Sequence, residues 1–180
     1  MGQSAIIYRV STDNFDLLKK SKNRKEYRLS ELSKEYSNFQ GSFMGIEFIL
    51  AKNQDEETKQ TLFEIFSPSN SLGIDDDEYE SLDEYERYEF IESGNYIPFL
   101  DNQKVAQIND ILQNVTEKDV VERYSSAELN SNGIYPSVWH DDNSENMAYN
   151  LREILEYINE IKKIFRLAVE NEDYLLSIIG

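Results

Sequence analysis

The chain ends in a long amphipathic stretch followed by an unbroken apolar segment, and this pair leaves few architectures open. Met147, Leu151, Ile154, Leu155, Ile158, Ile161, Phe165 and Ala168 recur at three- and four-residue spacing, which puts them on one face of a helix. The spacing predicts a helix over 145–171, roughly 40 Å long at 1.5 Å per residue and able to lie across a whole sheet. After it, Leu175-Leu176-Ser177-Ile178-Ile179 shows no polar alternation. A strand of that composition has both faces covered, so it belongs in the interior of a sheet. Upstream, Ser125 and Glu128 have capping-box spacing and Asn132-Gly133 supplies a left-handed stop, which predicts a short helix before the Ile134–Trp139 segment.

The rest of the chain reads as mixed secondary structure. Ser4 to Val10 is a short apolar strand, and Thr12 or Asp13 can cap a helix through Phe15, Leu17 and Leu18. A weaker helical pattern runs through Tyr27, Leu29, Leu32 and Tyr36. Phe43 to Leu50 is apolar except for Glu47, and periodicity leaves helix and strand both open there. Asp55 to Phe66 reads as a helix stopped before Pro68. Tyr88–Ile91 and Tyr96–Leu100, separated by Glu92-Ser93-Gly94-Asn95, suggest a hairpin near 88–100, with Pro98 marking an edge or a bulge. Asp101 caps a helix through Val105, Ile108, Leu112 and Val115, and Thr116 with Asp119 opens another. The expectation is one α+β domain over 1–180: a mixed or antiparallel sheet holding the N-terminal strand and a central C-terminal strand, covered by helices.

Charge narrows the function classes. The chain carries 35 Asp and Glu against 18 Lys and Arg. The segment 74–92 concentrates the excess, with ten acidic residues and one Arg from Asp75 to Glu92. Such a field repels phosphate backbones and anionic bilayers, so neither nucleic acid nor a membrane is an expected partner. The run Lys19-Lys20-Ser21-Lys22-Asn23-Arg24-Lys25 reads as a solvated helix end and loop. No segment reaches the roughly 20 apolar residues of a membrane span. Ile6 and Ile7 give way at once to Tyr8 and Arg9, unlike a signal peptide. A cytoplasmic location is the expectation. There is no cysteine, hence no disulfide, thiol nucleophile or Cys-based zinc site.

Glu128-Leu129-Asn130-Ser131-Asn132-Gly133-Ile134-Tyr135-Pro136 with Trp139, followed by the long helix and terminal strand, resembles the YfbM-like family of bacterial proteins. The Met1-Gly2 start with Tyr8, and the apolar run Phe43–Leu50, look like that family too. The resemblance implies a compact α+β fold, a central apolar helix and a bacterial origin. In those relatives the helix carries Trp and His where this chain has Phe43 and Glu47. The family is a domain of unknown function and supplies no catalytic residue.

Candidate chemistry is sparse. Counted from Asp75 as the first position of an EF-hand loop, the sixth is Glu80 where Gly is required, so that register fails. The acidic tract reads instead as a solvated face or as a docking surface for a basic protein, formed by Asp75, Asp76, Asp77, Glu78, Tyr79 and Tyr85. His140 is the only histidine, which removes multi-histidine metal sites. It is a weak catalytic candidate and more simply a loop residue. Glu47 is the second catalytic candidate, because a carboxylate on a buried segment must be paired or protonated. Tyr135 and Trp139 brace the loop or wall a ligand pocket. Glycines do not cluster into a phosphate cradle. No metal or cofactor is expected. The leading expectation is a non-enzymatic protein-binding module, an immunity-type inhibitor of a basic toxin being one form. The rival is a cryptic enzyme or small-ligand binder with Glu47, Tyr135, Trp139 and His140 in one pocket.

Overall fold

The computed structural model describes residues 3–74 and 76–180; at Asp76, Asp77, Glu80 and Glu92 it describes the backbone alone. In chain order, β1 (Ala5–Val10) leads to α1 (Thr12–Lys20), α2 (Leu29–Leu32), β2 (Ser33–Asn38), α3 (Phe43–Ala51), α4 (Glu56–Phe63) and β3 (Asn70–Leu72). Then come α5 (Asp76–Ser81), α6 (Glu84–Glu92), β4 (Ile97–Leu100), α7 (Asn102–Asn114), α8 (Glu117–Arg123), α9 (Ser126–Ser131), α10 (Leu151–Asn171) and β5 (Tyr174–Ile179). The sheet order is β2-β1-β5-β4-β3, with antiparallel neighbours throughout.

The C-terminal strand is central, as its composition requires. Leu175 joins the larger core, formed with α3, α7 and α10, while Leu176 joins a smaller core on the opposite face with Phe15 and Leu18 of α1. The two faces are therefore both apolar, and α10 contributes Ile154, Ile158, Ile161, Phe165 and Ala168 to the first. Across the second face, Phe15 stacks on Tyr174 with ring centroids 3.8 Å apart.

Four local expectations are corrected. The long helix starts at Leu151 rather than 145, because Asn150 caps it by accepting from the Glu153 N–H. Tyr88–Ile91 is not a hairpin arm. It lies within α6, where Asp83 and Glu86 form a reciprocal capping box that fixes the helix start. β4 pairs with β3 and β5 instead. Pro98 consequently sits on an interior strand, not at the sheet edge. The helical pattern through Tyr27–Tyr36 yields only α2, and the chain then extends as β2 along β1. Phe43–Leu50, open between two states, is helical.

Candidate functional site

α3 sends Phe43, Ile46, Ile49 and Leu50 into the core. Glu47 lies on the flank of this helix and lines a cleft of about 420 Å³ with Met44, Phe48, Phe63 and Ile134. Two lysines stand at the rim, but each is engaged elsewhere. Lys52 bonds Glu128 and donates to the Arg123 carbonyl at 3.1 Å, and Lys59 donates to Glu56 at 2.6 Å. Glu47 makes no ion pair among the described residues. Burial without a cation pushes its carboxyl up to about 7. A group of that kind can exchange a proton near neutrality.

Tyr135, Trp139 and His140 do not line this cleft. Trp139 is 3 % exposed and is held from three sides. Its main-chain N–H donates to the Asn130 side chain at 2.8 Å, its carbonyl accepts from that same side chain at 3.0 Å, and its indole N–H donates to the Ile134 carbonyl at 2.9 Å. The ring rests on Gly45 of α3, where an added Cβ would come within 2.2 Å of it. Only glycine admits this approach. Tyr135 packs beside Gly41, and its hydroxyl accepts from the Gln3 N–H at 3.3 Å. The His140 main chain is bound at both ends, accepting from the Tyr124 hydroxyl at 2.5 Å and donating to the Tyr149 carbonyl at 2.9 Å. The spacing that reads as a possible pocket thus forms a stapled loop. The four residues proposed to converge do not share one cleft.

The acidic tract folds as α5 and α6. Asp75 and the side chains of Asp76 and Asp77 lie outside the described residues, and Glu78 is exposed. Tyr79 faces inward, stacking on Tyr96 at 5.1 Å with the Arg87 guanidinium 5.3 Å above its ring. Tyr85 and Tyr88 project from α6, 67 % and 63 % exposed. Three residues apart on one helix, they lie on neighbouring positions of its surface. Among the described residues no three His, Asp or Glu are grouped to hold a metal ion. No helix among the described residues is long and apolar enough to cross a membrane.

Two constellations have no counterpart in the sequence reading. Asp173, 1 % exposed, receives Arg9 Nη1 at 2.8 Å and Lys34 Nζ at 3.0 Å, which ties the start of β5 to β1 and β2. The second involves the supposedly solvated basic loop. Arg24 donates through Nε to the Leu18 carbonyl at 3.0 Å, adding a second donor beside the Ser21 N–H at the end of α1, and its main-chain N–H donates to the Asn95 side chain at 2.9 Å. Both depend on partners far away in the chain. Only the position of Asp173 just after a helix stop hints at the first.

A test of Glu47 follows from its burial. An unfolded glutamate deprotonates near 4.5, while the folded carboxyl holds its proton to about 7. The stability tied to that proton is full below pH 4.5 and is lost as pH rises through 7. Glu47→Gln should therefore be more stable than the parent at pH 8 by about 2 kcal/mol, solvent at the cleft mouth screening part of the burial cost, and nearly equal to it at pH 4.5. Thermal melts at the two pH values measure this. A difference that does not change with pH would contradict it.

Helices on both faces of a five-stranded antiparallel sheet, with the C-terminal strand in the middle, define an α+β domain with an open sheet. The family model described as a domain of unknown function (DUF1877) matches residues 1–178, and the chain belongs to that family. Among solved structures the chain is similar to a protein of unknown function, YfbM from Escherichia coli. The TM-score is 0.63 at 15% identity, over 98% of this chain and 99% of that one. At that identity the likeness shows the fold alone. No curated protein matches.

Proposed function

We propose that this chain is a non-enzymatic protein-binding domain that presents α5 and α6 to a basic protein partner. The observation supporting this is the pair Tyr85 and Tyr88, each more than 60 % exposed and set among Glu84, Glu86 and Glu89. Tyrosine combines a large apolar ring with a polar tip, so adjacent exposed tyrosines favour an interface over bare solvent. The surrounding carboxylates would steer a cationic partner and repel nucleic acid and anionic bilayers. An inhibitor of a basic toxin is one form of this reading, and a cytoplasmic location goes with it. Tyr79 takes the supporting part, holding α5 against Tyr96.

The test is site-specific photo-crosslinking in extract of the native host, with benzoylphenylalanine at position 85 or 88 and at exposed Val121 as the control. The expected result is one basic protein captured from 85 and 88 but not from 121. Capture should fall at least tenfold when salt rises from 50 to 500 mM or when Glu84, Glu86 and Glu89 become Gln, both being screened or removed charge. Equal capture at all three positions, or capture indifferent to salt, would remove the proposal.

A second reading is favoured by the Glu47 cleft, whose proton-holding carboxyl on apolar walls suits a small ligand or a proton-transfer step. Tyr135, Trp139 and His140 then serve as scaffold rather than as members of the site.

A further inference from the structure

An opening larger than the Glu47 cleft lies at neither of those places. It is a cleft of about 590 Å³ beside the sheet, between the ends of β4 and β5. Its origin can be traced to Pro98. Ser4 and Gly180 exchange both main-chain hydrogen bonds, at 2.7 and 3.0 Å, which sets the phase of the β1–β5 ladder. Leu176 and Ile178 turn their main-chain groups to β1, and Leu175, Ser177 and Ile179 turn theirs toward β4. In the β4–β5 register Leu100 faces Leu175 and Phe99 faces Leu176. The next residue to meet Ser177 is Pro98, which has no N–H to offer. Pairing ends at Phe99, and beyond it the two strands become walls.

Those walls are apolar, with Phe66, Ile97, Pro98 and Ile178 among the lining residues. Among the described residues, the charged groups that line the cleft are Arg24 and Lys25, both cationic. In a chain with 35 acidic residues and 18 basic ones, two cations and no carboxylate among the described lining residues run against the composition. Neither cation makes an ion pair among the described residues. Arg24 is also fixed in place by its bonds to Leu18 and Asn95. An apolar slot of a few hundred cubic ångströms with a positioned guanidinium and an ammonium at one side has the form of a ligand site.

We infer that this cleft binds a small amphipathic anion, its apolar body on Ile97, Pro98 and Ile178 and its acid group against Arg24 and Lys25. α6 borders the cleft through Ile91, but Tyr85 and Tyr88 do not line it, so the inference is tested separately from the protein-binding reading.

Two fluorescent probes of nearly identical shape test it on the intact chain: anilinonaphthalene sulfonate, an anion, and N-phenylnaphthylamine, its neutral parent. The sulfonate should saturate at one site per chain and bind on the order of tenfold tighter than the amine, the increment of a charge-assisted contact. Lys25→Glu, at an exposed position that leaves the core alone, should erase that preference while sparing the amine. Ser67→Trp, at the exposed rim of the same cleft, should weaken both probes at least tenfold. Tyr85→Ala with Tyr88→Ala should change neither. Equal affinity for the two probes, or sulfonate binding unaffected by both Lys25→Glu and Ser67→Trp, would overturn the inference. Inhibition of sulfonate binding by an apolar peptide ending in a free carboxylate, but not by a fatty acid, would replace the small molecule with a chain terminus and overturn it as well.

Discussion

Trp139→Ala lowers the free energy of unfolding by about 3–5 kcal/mol, the range for removing a large aromatic side chain from a packed interior. The indole is buried, its N–H is satisfied by Ile134, and its ring fills the space that Gly45 leaves on α3. Its loss opens a cavity against the helix and removes one of the hydrogen bonds to the Ile134 carbonyl, which keeps the Ser137 N–H at 2.8 Å. For a chain of this size the thermal midpoint should fall by roughly 10 °C. Gly45→Ala approaches the same contact from the other side. Its Cβ would lie 2.2 Å from the ring, so with Trp139 in place the change costs about 1–3 kcal/mol. In the Trp139→Ala background the clash is gone, and alanine is a better helix former than glycine by roughly 1 kcal/mol. The second substitution should then be neutral or stabilising. Denaturant unfolding of the four proteins closes the cycle. Additive costs would show that the ring does not seat on Gly45.

Asp173→Ala is the other large effect, at about 3 kcal/mol. The carboxylate is nearly inaccessible and faces both Arg9 and Lys34. Lys34 reaches solvent and can rehydrate. The Arg9 side chain is 11 % exposed, and without Asp173 its nearest acid is Glu35 at 3.7 Å. Breaking a buried pair from one side leaves an uncompensated charge, which is where the cost arises. Arg9→Met combined with Asp173→Leu removes both charges and should recover at least half of the loss, since a buried pair contributes little net stability over apolar side chains of similar volume. If the double variant is less stable than Asp173→Ala, the two groups are not acting as a pair.

Local signals in the sequence were sufficient wherever one element explains itself. The stripe from Leu151 to Ala168 and the apolar Leu175–Ile179 segment mark a long helix and a strand covered on both sides, and the sheet places them so. The caps at Asp101, Thr116 and Ser125 are read correctly for the same reason, because each bonds a residue three positions on. Errors occur where tertiary contacts decide. β2 consists of Ser33-Lys34-Glu35-Tyr36-Ser37-Asn38, polar on both faces, so its period of two has no hydrophobic mark and only pairing with β1 makes it a strand. At α6, Tyr88-Glu89-Phe90-Ile91 before Ser93-Gly94 imitates a hairpin, although Asp83 and Glu86 already carried the capping-box spacing that overrules it.

Site residues are legible to a lesser degree. Glu47 stands out because a lone acid in an apolar run has to be explained, and the structure gives it a half-buried setting in which neither rim lysine pairs with it. The grouping of Glu47 with Trp139 and His140 failed, since nothing in sequence distance says on which side of a helix a loop will lie. Arg24 was hidden for a related reason. Its neighbours Lys22 and Lys25 make the run look uniformly solvated, and the Asn95 that anchors it is 71 positions away.

The central place of β5 also orders the assembly of the molecule. The first two strands form one ribbon and the third and fourth another, and no direct ladder joins the ribbons. The segment bridging them is synthesised after all of its neighbours. Until it arrives, each ribbon presents an open edge with a bare apolar face, the state most prone to pair with the wrong chain. Closure then requires contacts between residues some 170 positions apart, a slow step in which the latecomer acts as a wedge that locks two half-finished sheets into one.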